Sequence, residues 1–86
     1  MTTATEARLR RLAMRSWRRG TREMDLILGP FADARLATLD PASLDAFESL
    51  LSENDHDLYA WVSGSAGIPE RFRDTVGLIR AHHRIG

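Results

Sequence analysis

The sequence predicts an all-α fold, a compact bundle of five short helices, on three observations. Apolar residues recur at three- and four-residue spacing, no window shows convincing period-two alternation, and glycine, proline and capping residues cut the chain into helix-sized pieces. At 86 residues, with 43 % hydrophobic and 28 % charged, the chain has the composition of one small globular domain. A single domain over residues 1–86 is expected, with 1–5 and 84–86 fraying.

Thr3 and Glu6 have capping-box spacing, and Leu9, Leu12, Ala13, Ser16 and Trp17 trace the inner face of a first helix. Arg8, Arg11, Arg15 and Arg18 form a separate stripe, expected to be a solvated face paired with acids of neighbouring helices. Gly20 is placed for a left-handed stop. Thr21 caps a second helix with Met24, Ile27, Leu28 and Phe31 as its buried stripe. Gly29-Pro30 is expected to kink or break that helix, because proline removes a donor and crowds the carbonyl of Leu26. Asp40 caps a third helix, with Pro41 at its first position, Leu39 stapled toward Leu44, and Phe47, Leu50 and Leu51 inward. Asn54 or Asp55 opens a fourth, carrying Leu58, Trp61 and Val62 and closed by Gly64. Pro69 opens a fifth with Phe72, Val76 and Ile79. His82 to Gly86 is expected to fray.

Chemistry is constrained by what the chain carries. It has no cysteine, so a disulfide framework, thiolate metal site and thiol nucleophile are excluded. His56, His82 and His83 read as surface residues, since adjacent side chains on a helix point about 100° apart and do not share one ion. Asp55 and Asp57 lack the continuation of a calcium loop. The serines have no nucleophile elbow. No run reaches the roughly 18 apolar residues of a membrane span, and the arginine-rich start is taken as part of the fold, so the cytosol is expected. Trp17 and Trp61 read as core or half-buried.

A net charge of zero conceals segregation: residues 1–23 carry seven arginines against two acids, and residues 24–57 carry eight acids against one arginine. All twelve basic residues are arginine, as a GC-rich genome favours. The eight acids argue against a nucleic-acid partner despite the basic stripe.

Within Trp17-Arg18-Arg19-Gly20-Thr21-Arg22-Glu23-Met24-Asp25-Leu26 lies RGxxE, at Arg19, Gly20 and Glu23. Together with Phe47-Glu48-Ser49-Leu50-Leu51 and with Asp55-His56-Asp57-Leu58-Tyr59-Ala60-Trp61, which matches D-x-D-L-x-x-W, this resembles the SdhE-type succinate dehydrogenase assembly factors. The resemblance spans roughly residues 8 to 84. It implies a non-enzymatic chaperone that binds the flavoprotein subunit of succinate dehydrogenase, with that of fumarate reductase as a further candidate, and promotes covalent FAD attachment. The resemblance further implies that a histidine of the client performs the chemistry. FAD then belongs to the client, and no cofactor is expected to bind this chain directly, which lacks GxGxxG.

The resemblance assigns partner binding to Arg19, Gly20 and Glu23, with Arg18, Arg22 and Asp25 as neighbours, and implies that a tight corner holds Arg19 and Glu23 outward. Read locally, the same charges merely complement two helix ends. A generic helical interaction module without a flavin role is the alternative.

Overall fold

A computed structural model describes residues 3–84. They form α1 (Ala4–Trp17), α2 (Arg22–Arg35), α3 (Pro41–Leu50), α4 (Asp55–Ser63) and α5 (Arg73–His82), with short 3-10 turns at Leu36–Thr38 and Glu70–Phe72. No strand occurs among the described residues. Side-chain caps start four of the helices. Oxygens of Thr3, Thr21, Asp40 and Asn54 accept from the backbone N–H of Glu6, Met24, Ser43 and Asp57, each three residues on. Gly64, at φ +86°, closes α4 in the left-handed conformation. Ala4 and Thr5, expected to fray, lie in the first turn of α1.

Two antiparallel helices, α1 and α2, form a hairpin, and α5 crosses behind it, touching α2, α3 and α4. The core between them holds Leu12, Leu28, Phe31, Phe47, Leu50, Leu58, Val76 and Ile79, each fully buried. Phe31 and Phe47 pack with ring centroids 5.6 Å apart, joining α2 to α3. Outside the core, Arg8 donates to both Asp45 and Glu48, at 2.6 and 2.7 Å, and so ties α1 to α3. Those two acceptors, Asp45 foremost, raise the Arg8 guanidinium further above its ordinary pKa.

The expected break at Gly29-Pro30 does not occur, for α2 runs unbroken from Arg22 to Arg35. An interior proline costs about 3 kcal/mol. Burying Leu28 and Phe31 on either side of it contributes about 1.5–3 kcal/mol each, which offsets that cost.

Gly29 has a different purpose. The Trp17 indole lies across it, close enough that an added Cβ would overlap ring atoms Cδ2 and Cε2. Trp17 therefore sits at the surface, 39 % exposed, where its Nε1–H donates to Asp33 at 3.0 Å. Gly29→Ala is expected to destabilise by up to about 2 kcal/mol, because overpacking at about 1–3 kcal/mol outweighs a helix-propensity gain of about 1. In a Trp17→Ala background the sign should reverse. Denaturant unfolding of the four proteins checks this, and a Gly29→Ala cost that persists without the indole would contradict it.

The last helix does not end loosely. His82 meets Phe31 edge-on at 5.8 Å, and the Nε2–H of His83 donates to the Ile27 carbonyl at 2.7 Å. Both histidines, expected on the surface, are half-buried against α2. Of the segment expected to fray, Ile85 and Gly86 lie outside the described residues, as do Met1 and Thr2.

Asp40 illustrates an electrostatic cap. The Ser43 backbone N–H, with a further bond from its side chain, holds the Asp40 carboxyl below the usual carboxylate range. A pKa lower in the folded than in the unfolded state contributes stability above the unfolded value, about 3.9, and loses it as pH falls through the folded value. The melting-temperature gap between wild type and Asp40→Ala should thus be full at neutral pH and close with acidification from about pH 4. A gap of constant size down to strongly acidic pH would contradict this assignment.

Candidate partner-binding site

Between α1 and α2 the chain reverses within four residues. Gly20 makes this possible at φ +101°, a conformation costly for residues with a Cβ. Space is not the reason for glycine here, because a Cβ would meet nothing within 4 Å.

Arg19 does not point outward as expected. Its side chain is only 11 % exposed and crosses to the turn between α3 and α4. There Nε donates to Asp55 at 2.9 Å, Nη2 donates to the Glu53 carbonyl at 2.6 Å, and Nη1 donates to the Leu51 carbonyl. From the other side, its backbone N–H donates to the Asp25 carboxylate at 2.7 Å. The planar fork of arginine fits this arrangement of two carbonyls and a carboxylate, which lysine's single ammonium does not. Arg19, Gly20 and Asp25 thus build the corner.

The remaining residues display it. Arg18, Arg22 and Glu23 are exposed, and Glu23 lies in the first turn of α2. Beside Glu23 is a shallow concavity of about 390 Å³, lined by Thr21, Glu23, Met24, Asp55, His56 and Tyr59. Tyr59 is 48 % exposed. It offers a flat apolar ring with a hydroxyl at its edge, a combination enriched at protein interfaces. Glu23 adds a carboxylate with no ion-pair partner among the described residues, and it can accept charge-assisted bonds.

Sequence reasoning missed Tyr59 and His56 as parts of this face. The available signal was that both fall off the inward stripe of Leu58, Trp61 and Val62. It also missed that the two motifs meet: Asp55 of D-x-D-L-x-x-W is the carboxylate that holds Arg19. The rest of that motif is structural, since Asp57 bonds Asn54 at the start of α4 and Leu58 and Trp61 are buried. Among the described residues no group of three or more acids and histidines is placed to hold a metal ion.

The family model described as flavinator of succinate dehydrogenase matches residues 10–83, from the middle of α1 to the end of α5. The chain belongs to this flavinator family. It is 41 % identical over 69 residues to "Succinate dehydrogenase assembly factor 2, mitochondrial" of Mycosarcoma maydis, covering 80 % of this chain and 29 % of that protein. The protein of the same description from Dictyostelium discoideum is 34 % identical over 74 residues, covering 86 % of this chain and 52 % of its own. "FAD assembly factor SdhE" of Legionella pneumophila is 38 % identical over 63 residues, covering 73 % of this chain and 80 % of its own length. The chain therefore spans about half or less of these two mitochondrial relatives and most of the bacterial one. The corner and both elements that brace it, α2 and the start of α4, lie inside the matched segment.

Proposed function

We propose that this chain acts in the cytoplasm as a chaperone that docks on the flavoprotein subunit of succinate dehydrogenase through the α1–α2 corner and promotes its covalent FAD attachment. The observation that carries the reading is Glu23 displayed beside exposed Tyr59 on a corner that Arg19 holds rigid, in a chain of this family. Arg18 and Arg22 flank the contact, while Arg19, Gly20 and Asp25 serve it by positioning.

FAD remains with the client, and the bond-forming residue is the client's own. The contribution of this chain is binding energy for one arrangement of the client, in which the attacking side chain and the flavin meet. Shifting a two-state equilibrium from 1:99 to 99:1 takes about 5.5 kcal/mol of differential affinity. An interface of ordinary size, about 800 Å² per partner, supplies that if its centre is well packed. A rigid corner loses little entropy on docking, so more of the contact energy reaches the client.

The test is genetic and biochemical. Deleting the gene should leave the flavoprotein subunit without its covalent flavin fluorescence on a denaturing gel, and a tagged copy of this chain should recover that subunit from cells. Normal covalent flavin in the deletion strain would overturn the proposal and leave a generic interaction module.

A further inference from the structure

The outer side of α1 holds a groove that adjoins the corner at Arg18 and Arg19 and runs away from it along the helix. Leu12 and Ser16 are buried, with Leu9 and Ala13 packed against the core, so the opposite side of α1 faces solvent. Of the arginines on α1 and at the corner, Arg8 is engaged by Asp45 and Glu48, and Arg19 by the α3–α4 turn. Arg10, Arg11, Arg15 and Arg18 have no carboxylate within 4.0 Å among the described residues. The expectation that acids of neighbouring helices pair this stripe holds for Arg8 alone. Met14, 46 % exposed, lies among the four unpaired arginines, and together they line one shallow groove along the helix.

Fold stability gives no account of this grouping. Like charges three and four residues apart, as Arg11–Arg15 and Arg15–Arg18 are, repel and weaken a helix. The helix dipole favours cations in the last turn, which suits Arg15 and Arg18 but not Arg10 or Arg11. A genome that favours arginine over lysine explains the residue type, not its gathering on one unpaired face. The chain has eight acids between residues 24 and 57, yet none comes within 4.0 Å of these four, although Arg15 borders the pocket that also holds Asp45 and Glu48.

We propose that this groove binds an acidic segment of a partner protein, a stretch presenting two or three carboxylates around an apolar side chain that settles on Met14. Guanidinium forks take carboxylates in paired, charge-assisted bonds, and the unbranched thioether adapts to whatever apolar group lies between them. A phosphate backbone is the poorer match. Any strand that continued past Arg18 would run onto exposed Glu23 and the acids of α2 and α4, and a nucleic acid offers no apolar centre for Met14. The groove runs along α1, meets the corner at Arg18 and Arg19, and shares no lining residue with the concavity beside Glu23 and Tyr59, so it constitutes a second contact surface adjoining the first.

The experiment is fluorescence anisotropy of the full chain with a labelled peptide of about twelve residues, glutamates around a central leucine, at about 50 and about 300 mM salt. Saturable binding at low salt is expected, weakened at least about tenfold at high salt and at least about tenfold by Arg11→Gln/Arg15→Gln. The same peptide with glutamines in place of glutamates should not bind, a comparison on wild-type protein that stands even if the double variant folds poorly. The proposal is overturned by equal binding of the two peptides, by an unaffected and well-folded double variant, or by an oligonucleotide of equal charge binding more tightly than the acidic peptide. It also falls if sedimentation shows a dimer that the double variant dissolves, which would seat a second copy in the groove. No flavoprotein enters this assay, so its failure would leave the corner reading standing.

Discussion

Arg19→Ala is expected to destabilise the fold by about 3 kcal/mol, although this residue is part of a motif read as a docking contact. Removing the guanidinium leaves the Leu51 and Glu53 carbonyls without this donor and Asp55 without its counter-ion in a half-buried turn. A lost partner in such a setting costs more than the net worth of the bonds, because the abandoned groups are already partly desolvated. For a domain of this size, 3 kcal/mol corresponds to a fall in melting temperature of about 12–24 °C, a large part of a total stability of about 5–15 kcal/mol. Arg19→Lys should recover little of it, since an ammonium does not reproduce the fork. Thermal unfolding followed by circular dichroism measures this. A melting temperature within a few degrees of wild type for both variants would show that the corner does not depend on Arg19.

Glu23→Gln is expected to do the opposite, leaving the fold intact and removing the function. Glu23 is exposed in the first turn of α2, so loss of its charge forfeits a dipole interaction of about 0.3–1 kcal/mol. If the carboxylate meets a charged or backbone donor that docking desolvates, its loss costs about 2–5 kcal/mol of affinity, which is about thirtyfold or more. The two variants therefore separate positioning from contact: Arg19→Ala lowers both melting temperature and client binding, and Glu23→Gln lowers binding alone. Titration against the purified client subunit reads the difference, and wild-type affinity for Glu23→Gln would remove this side chain from the interface.

Much of the fold was legible because its signals are local. The caps at Thr3, Thr21, Asp40 and Asn54 and the glycine stop at Gly64 each act within a few residues and occur where the pattern placed them, whereas α1 already ends at Trp17 with Arg18 as its cap, and Gly20 at φ +101° serves the turn that follows rather than the helix stop. What sequence reasoning misread is long-range. Pro30 is a local signal for a break, overruled by the burial of Leu28 and Phe31 against other helices. Trp17 has the spacing of a core residue, but it settles on the backbone of Gly29 twelve positions later and gives its ring N–H to Asp33 at the surface. Arg19 is the sharpest case. Its partners lie 32 to 36 positions downstream, and two of them are main-chain carbonyls, which carry no residue-type signature at all. A charged residue beside a left-handed glycine therefore reads as displayed when it is a brace. The acid it presses against, Asp55, was visible only as half of another motif.

The division of the corner into brace and display face is the centre of this account, and reconstituted flavinylation tests it most directly. Purified apo flavoprotein subunit, free FAD and this chain are mixed, and covalent flavin is followed over time by fluorescence of the denatured subunit. With stability matched by working well below the melting temperature of every variant, wild type should accelerate attachment, and Glu23→Gln and Tyr59→Ala should each fall close to the unassisted rate while remaining folded. Full acceleration by both variants would mean that the face beside the corner is not where the client docks.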